Sequence, residues 1–338
     1  MRGQISYVNM ENIFIGHERQ TQYLDAVFAR GKASHAYLFY GPRHVGKYAL
    51  ALRLAAFLHC REFESNKKDI ALQSCGSCPD CVAVAEEHSP YVTVLDRNHT
   101  LVSKKEKRTN IPIEDIRELK RMSSLTALSG KPRIVIINEV ELMSEEAANA
   151  FLKLLEEPGN NTYFFMIAEN KDTLFPTIVS RAQAIRFSLI SDSLMKTLVA
   201  TFVSEEKLKE EMVRFSEGRP GLLMKMIKER EFFESQKSAA RMLHAALRGS
   251  TPNVFRLTEH CTRDDSFSEV VLAQCTALVH ALIPKVPFVG TPKVSAFLAA
   301  MERMRRIREA IETTNANSRI AYDLFFLEAR NMYGIISP

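Results

Sequence analysis

The sequence predicts an α/β protein: a parallel β-sheet domain built around a phosphate-binding loop, continued by helices alone. Three observations carry this. Short apolar runs alternate with amphipathic helical stretches through the first half of the 338 residues. A G-x-x-x-x-G-K segment, Gly41 to Lys47, joins the first run to a helix. Beyond about Ser188 the strand-like runs cease and long, charged helical patterns take over.

Each element can be justified in chain order. Ala36-Tyr37-Leu38-Phe39-Tyr40 reads as a buried strand, and Gly46 to Leu58 as the helix after it. Tyr91 to Leu95 is a second strand, and Ile113, Ile116, Leu119 and Met122 share helical spacing. Arg133 to Ile137 is a third strand. Ser144 is an N-cap with Glu145 and Glu146 in the first turn, where carboxylates meet the helix dipole favourably. Ala147, Phe151, Leu154 and Leu155 then share one face, and Pro158-Gly159 ends that helix. Tyr163 to Ile167 and Ala184 to Phe187 complete the strands, with a helical stretch expected over Thr173 to Ser180. Strands apolar on both sides require a sheet covered on both faces. Texture places domain boundaries near 188 and 249, giving segments 1–187, 188–248 and 249–338.

Composition narrows the function classes. Apolar residues make up 46% of the chain, enough for folded cores. A net charge of +5 permits nucleic-acid contact without demanding it. No apolar run is long enough to span a bilayer, and Met1 to Gly16 lacks the apolar stretch of a secretory signal, so a cytoplasmic location is expected. The run Lys104 to Arg108 reads as a solvated loop.

The phosphate loop is altered where it should orient a metal. Gly41 and Gly46 let backbone N–H groups wrap phosphate oxygens, and Lys47 would reach the outer phosphates. The next position normally carries a Ser or Thr hydroxyl for Mg²⁺; here it is Tyr48, whose phenol sits on a long rigid ring. The third strand is followed by Asn138-Glu139 where Asp-Glu is expected, and a neutral amide is a poorer ligand for a hard cation. ATP and Mg²⁺ binding are therefore in doubt and turnover is expected to be small. An active ATPase with tolerated variants is the alternative.

Six cysteines are present, and four of them cluster as C-x₁₄-C-x₂-C-x₂-C: Cys60, Cys75, Cys78 and Cys81. In a reducing compartment this spacing fits a closed, structural four-thiolate zinc site. A redox C-x-x-C is the rival, opposed by the third and fourth cysteines. Cys261 and Cys275 read as core residues.

Together these segments resemble the clamp-loader subunits of bacterial DNA polymerase III. Ser34 to Phe39 resembles that family's strand into the P-loop, and the four cysteines match its zinc module. Ala148 to Pro158 resembles its N-A-L-L-K-x-L-E-E-P signature, and Ile178 to Ala182 its S-R-C segment, with Ala182 replacing Cys. The resemblance runs from about Asn12 to Phe187. It implies a RecA-like AAA+ P-loop domain, a helical lid and an all-α C-terminal collar, matching the texture changes. It also implies a hetero-pentamer with delta and gamma/tau subunits that places a sliding clamp on primed DNA.

Within the family, gamma/tau subunits hydrolyse ATP and delta-prime subunits largely do not; Tyr48 and Asn138 point to the latter. By the same resemblance Arg181 is an arginine finger for a neighbouring subunit's ATP, the bland alternative being a surface ion pair. Asn170 falls at the sensor position after the fourth strand, Ile15-Gly16-His17 at the adenine pocket, and Ser216 to Gly221 at the lid-helix entry, with Gly221 where active members carry a sensing Arg. Two other readings remain: an active ATPase of the gamma/tau kind, and a zinc-dependent nucleic-acid binder with a vestigial P-loop.

Overall fold

A computed structural model describes residues 14–61, 74–96, 101–102, 110–123, 130–159, 161–282, 292–313 and 318–336. The run Lys104 to Arg108 lies outside them. The chain divides into two compact units, Met1–Ile227 and Lys228–Pro338. This division falls inside the 188–248 segment set apart by sequence texture.

The first unit is built on five parallel strands: β1 (Ala36–Tyr40), β2 (Val92–Leu95), β3 (Arg133–Ile137), β4 (Thr162–Ala168) and β5 (Gln183–Arg186). Their order in the sheet is β2-β3-β4-β1-β5, so β1 lies between β4 and β5. Alternate side chains fill two separate cores. Leu38, Val135, Ile137, Phe164 and Met166 face one side and pack with Ile116 and Leu119 of α4 (Ile113–Ser123) and Phe151 of α5 (Glu145–Glu156). Tyr37, Phe39, Ile134, Ile136, Phe165 and Ile167 face the other, against Leu24 of α1 (Glu18–Ala29) and Leu50, Leu54 and Phe57 of α2 (Lys47–His59). Burial on both faces explains why these strands read as continuous apolar runs.

The remaining helices of this unit are α3 (Pro79–Ala85), α6 (Pro176–Val179), α7 (Asp192–Ala200), α8 (Glu206–Ser216) and α9 (Pro220–Lys228), which reaches the division. The stretch expected to be helical over Thr173 to Ser180 is shorter. A 3₁₀ turn covers Lys171–Thr173, and α6 starts afresh at Pro176. Proline has no N–H to donate and suits the first turn, so it begins a helix here rather than continuing one.

Among the described residues the second unit contains only helices: α10 (Arg230–Arg248), α11 (Thr251–Arg263), α12 (Asp265–Leu282), α13 (Pro292–Thr313) and α14 (Ser318–Ile336). Its core includes Leu243, Leu257, Phe297, Phe325 and Phe326, with Cys261 and Cys275 fully buried. No described helix is long and apolar enough to cross a membrane.

Candidate nucleotide and metal sites

The phosphate loop runs from the end of β1 into α2, where the strand order reverses and open α/β sheets place their ligands. Gly41 takes φ +142, and a Cβ there would come within 2.3 Å of the Phe187 carbonyl oxygen. Only glycine lets the loop pass so close to the chain leaving β5. The Gly41 N–H donates to the carbonyls of Ala168 and Glu169 at the end of β4. His44 holds a left-handed turn at φ 61. Lys47 opens α2 and is 6% exposed. Its Nζ donates back across the loop to the carbonyl oxygens of Gly41 (2.5 Å) and Pro42 (2.6 Å). Burial pulls the Lys47 ammonium down to about 8, against the opposing pull of Glu169 and Glu141. A helix N-terminus, a wrapped loop and a cation are thus brought together in an arrangement that could receive a phosphate.

The two positions expected to orient a metal are placed as follows. The Tyr48 hydroxyl donates to Glu87 Oε1 at 2.5 Å, tying the P-loop helix to the turn beyond α3. Asn138 closes β3, its N–H donating to the Leu95 carbonyl. Glu139, left-handed at φ 55, pairs with Arg43 Nη2 at 3.3 Å. The same guanidinium pairs through Nε with Glu169. Arg43 therefore bridges two carboxylates, one following β3 and one following β4. Glu141 lies beside them; its Oε1 accepts from the Glu169 N–H at 3.0 Å, and burial raises its carboxyl.

Two other expected positions are structurally engaged. Asn170 is exposed, and its Oδ1 accepts from the Asp172 N–H to cap the 3₁₀ turn. The Gly221 N–H donates to the His44 carbonyl at 2.8 Å, so the start of α9 rests on the phosphate loop. A Cβ at Gly221 would stand 3.1 Å from that oxygen, leaving little room for a longer side chain. Arg219 pairs instead with Glu217 at 2.8 Å. His17 is buried against the Phe187 ring, with centroids 4.6 Å apart, and its Nε2 lies 3.0 Å from the Val45 carbonyl.

The four clustered cysteines converge. Cys60 caps the end of α2 and Cys78 the start of α3, and all four Sγ atoms lie within 4.8 Å of one another. None is in a disulfide. Backbone N–H groups point at sulfur in sequence: Cys75 N to Cys60 Sγ (3.4 Å), Cys78 N to Cys75 Sγ (3.3 Å) and Cys81 N to Cys78 Sγ (3.5 Å). Such donors favour thiolate, and those of Cys78 and Ser77 bring Cys75 down to about 6. Burial pushes Cys81 the other way. Cys75 and Cys81 Sγ are 3.9 Å apart. Ligands about 2.3 Å from a tetrahedral ion stand about 3.8 Å from each other, close to this pair's separation, so the group could hold a metal ion. Asp80 accepts ion pairs from Arg61 (2.6 Å) and Lys131 (2.7 Å), fastening the module to the residue pair before β3.

Arg181 lies just past α6. Its Nε (3.0 Å) and Nη2 (2.5 Å) both donate to Glu156 Oε1, and Nη1 donates to the Thr177 carbonyl at 3.1 Å. The side chain is 37% exposed. The surface ion pair is thus present, and it joins the Leu-Glu-Glu-Pro segment to the Ser-Arg segment.

A profile of the family described as DNA polymerase III, delta subunit matches residues 16–191, more than half of the chain. The chain belongs to this family. The DNA polymerase III subunit delta' of Pseudomonas aeruginosa is 32% identical over 193 residues, covering 56% of this chain and 55% of that protein. The subunit delta' of Bacillus subtilis is 30% identical over 158 residues, covering 47% and 43%. The subunit gamma/tau of Mycobacterium bovis is 28% identical over 192 residues, covering 57% and 31%. The matched stretch therefore spans about a third to about half of these relatives' own length. Among solved structures, a gamma subunit-related protein of Thermotoga maritima overlays with a TM-score of 0.47 at 15% identity, covering 93% of this chain and 99% of that one. The family includes delta' and gamma/tau relatives at similar identity, so any distinction between those types rests on individual residues.

Sequence reasoning missed Arg43, Glu141 and Glu169 as parts of the site. Arg43 lay inside the motif as a variable position. Glu169 lay in the Ala168-Glu169-Asn170 segment after the fourth strand, from which Asn170 was singled out instead.

Proposed function

We propose that this chain is a clamp-loader subunit of the delta-prime type, a cytoplasmic component of the DNA polymerase III assembly. It joins delta and gamma/tau subunits in a hetero-pentamer that loads a sliding clamp on primed DNA. The observation that carries this reading is the engagement of the Tyr48 hydroxyl by Glu87, beside an Asn138 that offers only an amide where a carboxylate is expected. Phosphoryl transfer depends on that metal, so turnover by the chain alone is expected to be negligible. Residues 1–187 would form the AAA+ domain, 188–248 the lid and 249–338 the collar. Cys60, Cys75, Cys78 and Cys81 would hold a structural zinc, which supplies cross-linking rather than chemistry when bound.

The chain's chemical contribution would be made in trans by Arg181. Its guanidinium is permanently charged and forked, suited to phosphate oxygens as charge develops. Its present partner, Glu156, holds it in an exposed pair, an interaction of about 0–1 kcal/mol. A neighbour's triphosphate, more highly charged than one carboxylate, would displace Glu156 readily.

Arg181→Ala should leave the chain folded and able to assemble. ATP hydrolysis at the adjoining site should fall, by up to roughly 10³–10⁵ where a trans finger is fully engaged. Arg181→Lys should rescue little. Unchanged DNA-stimulated ATPase and loading in assembled Arg181→Ala complexes would defeat the finger. Mg²⁺-dependent turnover by the purified chain, abolished by Lys47→Ala, would favour the gamma/tau type.

A further inference from the structure

We propose that the phosphate loop of this chain takes a nucleoside diphosphate without a divalent cation and discriminates against the triphosphate. The proposal rests on the degenerate-site reading above and names the ligand class of that same site. The cradle for the inner phosphates is intact. Gly41 and His44 hold their loop conformations, Lys47 is braced over the loop by two carbonyls, and α2 presents its N-terminus. In P-loop proteins the loop amides hold the α- and β-phosphates, while the metal bridges β to γ and neutralises the outer charge.

Around Lys47 and Arg43, that outer region gathers three carboxylates. Glu139 and Glu169 stand at the strand ends beside the loop, with Glu141 next to Glu169. Arg43, which bridges Glu139 and Glu169, is already committed to two carboxylates, and Lys47 is held by two loop carbonyls. Without Mg²⁺ a terminal phosphate entering this region adds its charge to carboxylates of the same sign. With Mg²⁺ the ion lacks the hydroxyl and carboxylate that would seat it at Tyr48 and Asn138. A diphosphate ends at the β-phosphate and meets only the cradle.

Titrating the full-length chain with ADP and with ATP by calorimetry, in Mg²⁺ and in EDTA, tests this. ADP should bind equally in both buffers, within about twofold, and at least about tenfold more tightly than ATP in EDTA, as expected of one unscreened like-charge contact. Glu139→Gln combined with Glu169→Gln should narrow the gap by tightening ATP, with ADP unchanged; both substitutions preserve side-chain shape. Lys47→Ala should abolish binding of either nucleotide. Failure of the wild-type chain to bind ADP, a requirement for Mg²⁺, or ATP binding as tight as ADP would overturn the proposal. So would an ADP–ATP gap unmoved by the double substitution. None of these results bears on the finger, which Arg181→Ala decides in the assembled complex.

Discussion

The cysteine cluster and the phosphate loop sit at opposite ends of the same helix, and they differ in what the sequence has preserved. At the C-terminal end of α2 the ligand set is complete: four thiols converge, and three successive backbone N–H groups point at sulfur. At the N-terminal end the cradle survives and the metal ligands do not. A structural metal site stabilises the fold directly, so each lost thiol has a cost in folding. A catalytic metal site contributes little to the fold, and here Tyr48 ties α2 to the turn after α3. The comparison teaches that the two ends of one helix offer a metal ion unequal sets of groups: four converging thiols at one, a phenol and an amide at the other.

The largest expected effect tests the first half of this contrast. Cys60→Ser with Cys81→Ser should eliminate bound zinc on elemental analysis and expose the amides around α3 to hydrogen exchange. The cost should be several kcal/mol, below the ~10–16 kcal/mol of isolated zinc peptides, because Asp80 and its ion pairs remain. Wild-type protein purified without metal, with α3 fully protected, would break the comparison.

Gly41→Ala attacks the cradle instead. The added methyl meets the Phe187 carbonyl at a positive φ, and a loss of about 2–3 kcal/mol in urea unfolding is expected. No loss would mean that the loop is not held by β5.

Lys47 gives a pH signature. Its folded value, about 8, lies below its ordinary 10.5 because burial disfavours the ammonium. Between those values the unfolded chain binds more protons, so this group makes stability rise with pH across that window. Lys47→Met should remove that rise, on the order of 1–2 kcal/mol, and should leave the chain more stable below pH 8. A wild-type stability curve falling through the same window, with the variant unchanged, would contradict the burial argument.

The smallest effect is expected from Tyr48→Phe. Deleting a partly exposed hydroxyl-to-carboxylate bond should cost about 0.5–1 kcal/mol. A much larger cost would mean that the two ends of α2 are more tightly coupled than one hydrogen bond implies.

Much of the sheet was legible because its strands are apolar on both faces, which leaves continuous runs such as Ile134 to Ile137. The short α6 was not, because the break depends on where Pro176 falls in an otherwise helical pattern. The cysteine grouping was legible because spacing alone brings three of its sulfurs together. The Glu139–Arg43–Glu169 bridge was not, because its members come from three strand ends and meet only through strand order. Likewise, nothing local to Arg181 names Glu156 as its partner, although both lie in recognisable segments.

The way the phosphate loop is clasped has a thermodynamic consequence. Phe187 closes over Gly41 from one side, and the Gly221 amide grips His44 from the other. A loop moulded by its own protein surrounds has little backbone freedom left to surrender, so an arriving anion meets a preorganised host and forfeits little affinity to ordering it. Arrival should then register as a change of electric field rather than of shape. Probes of hydrodynamic size would stay silent, while the titration of neighbouring groups such as Glu141 would move.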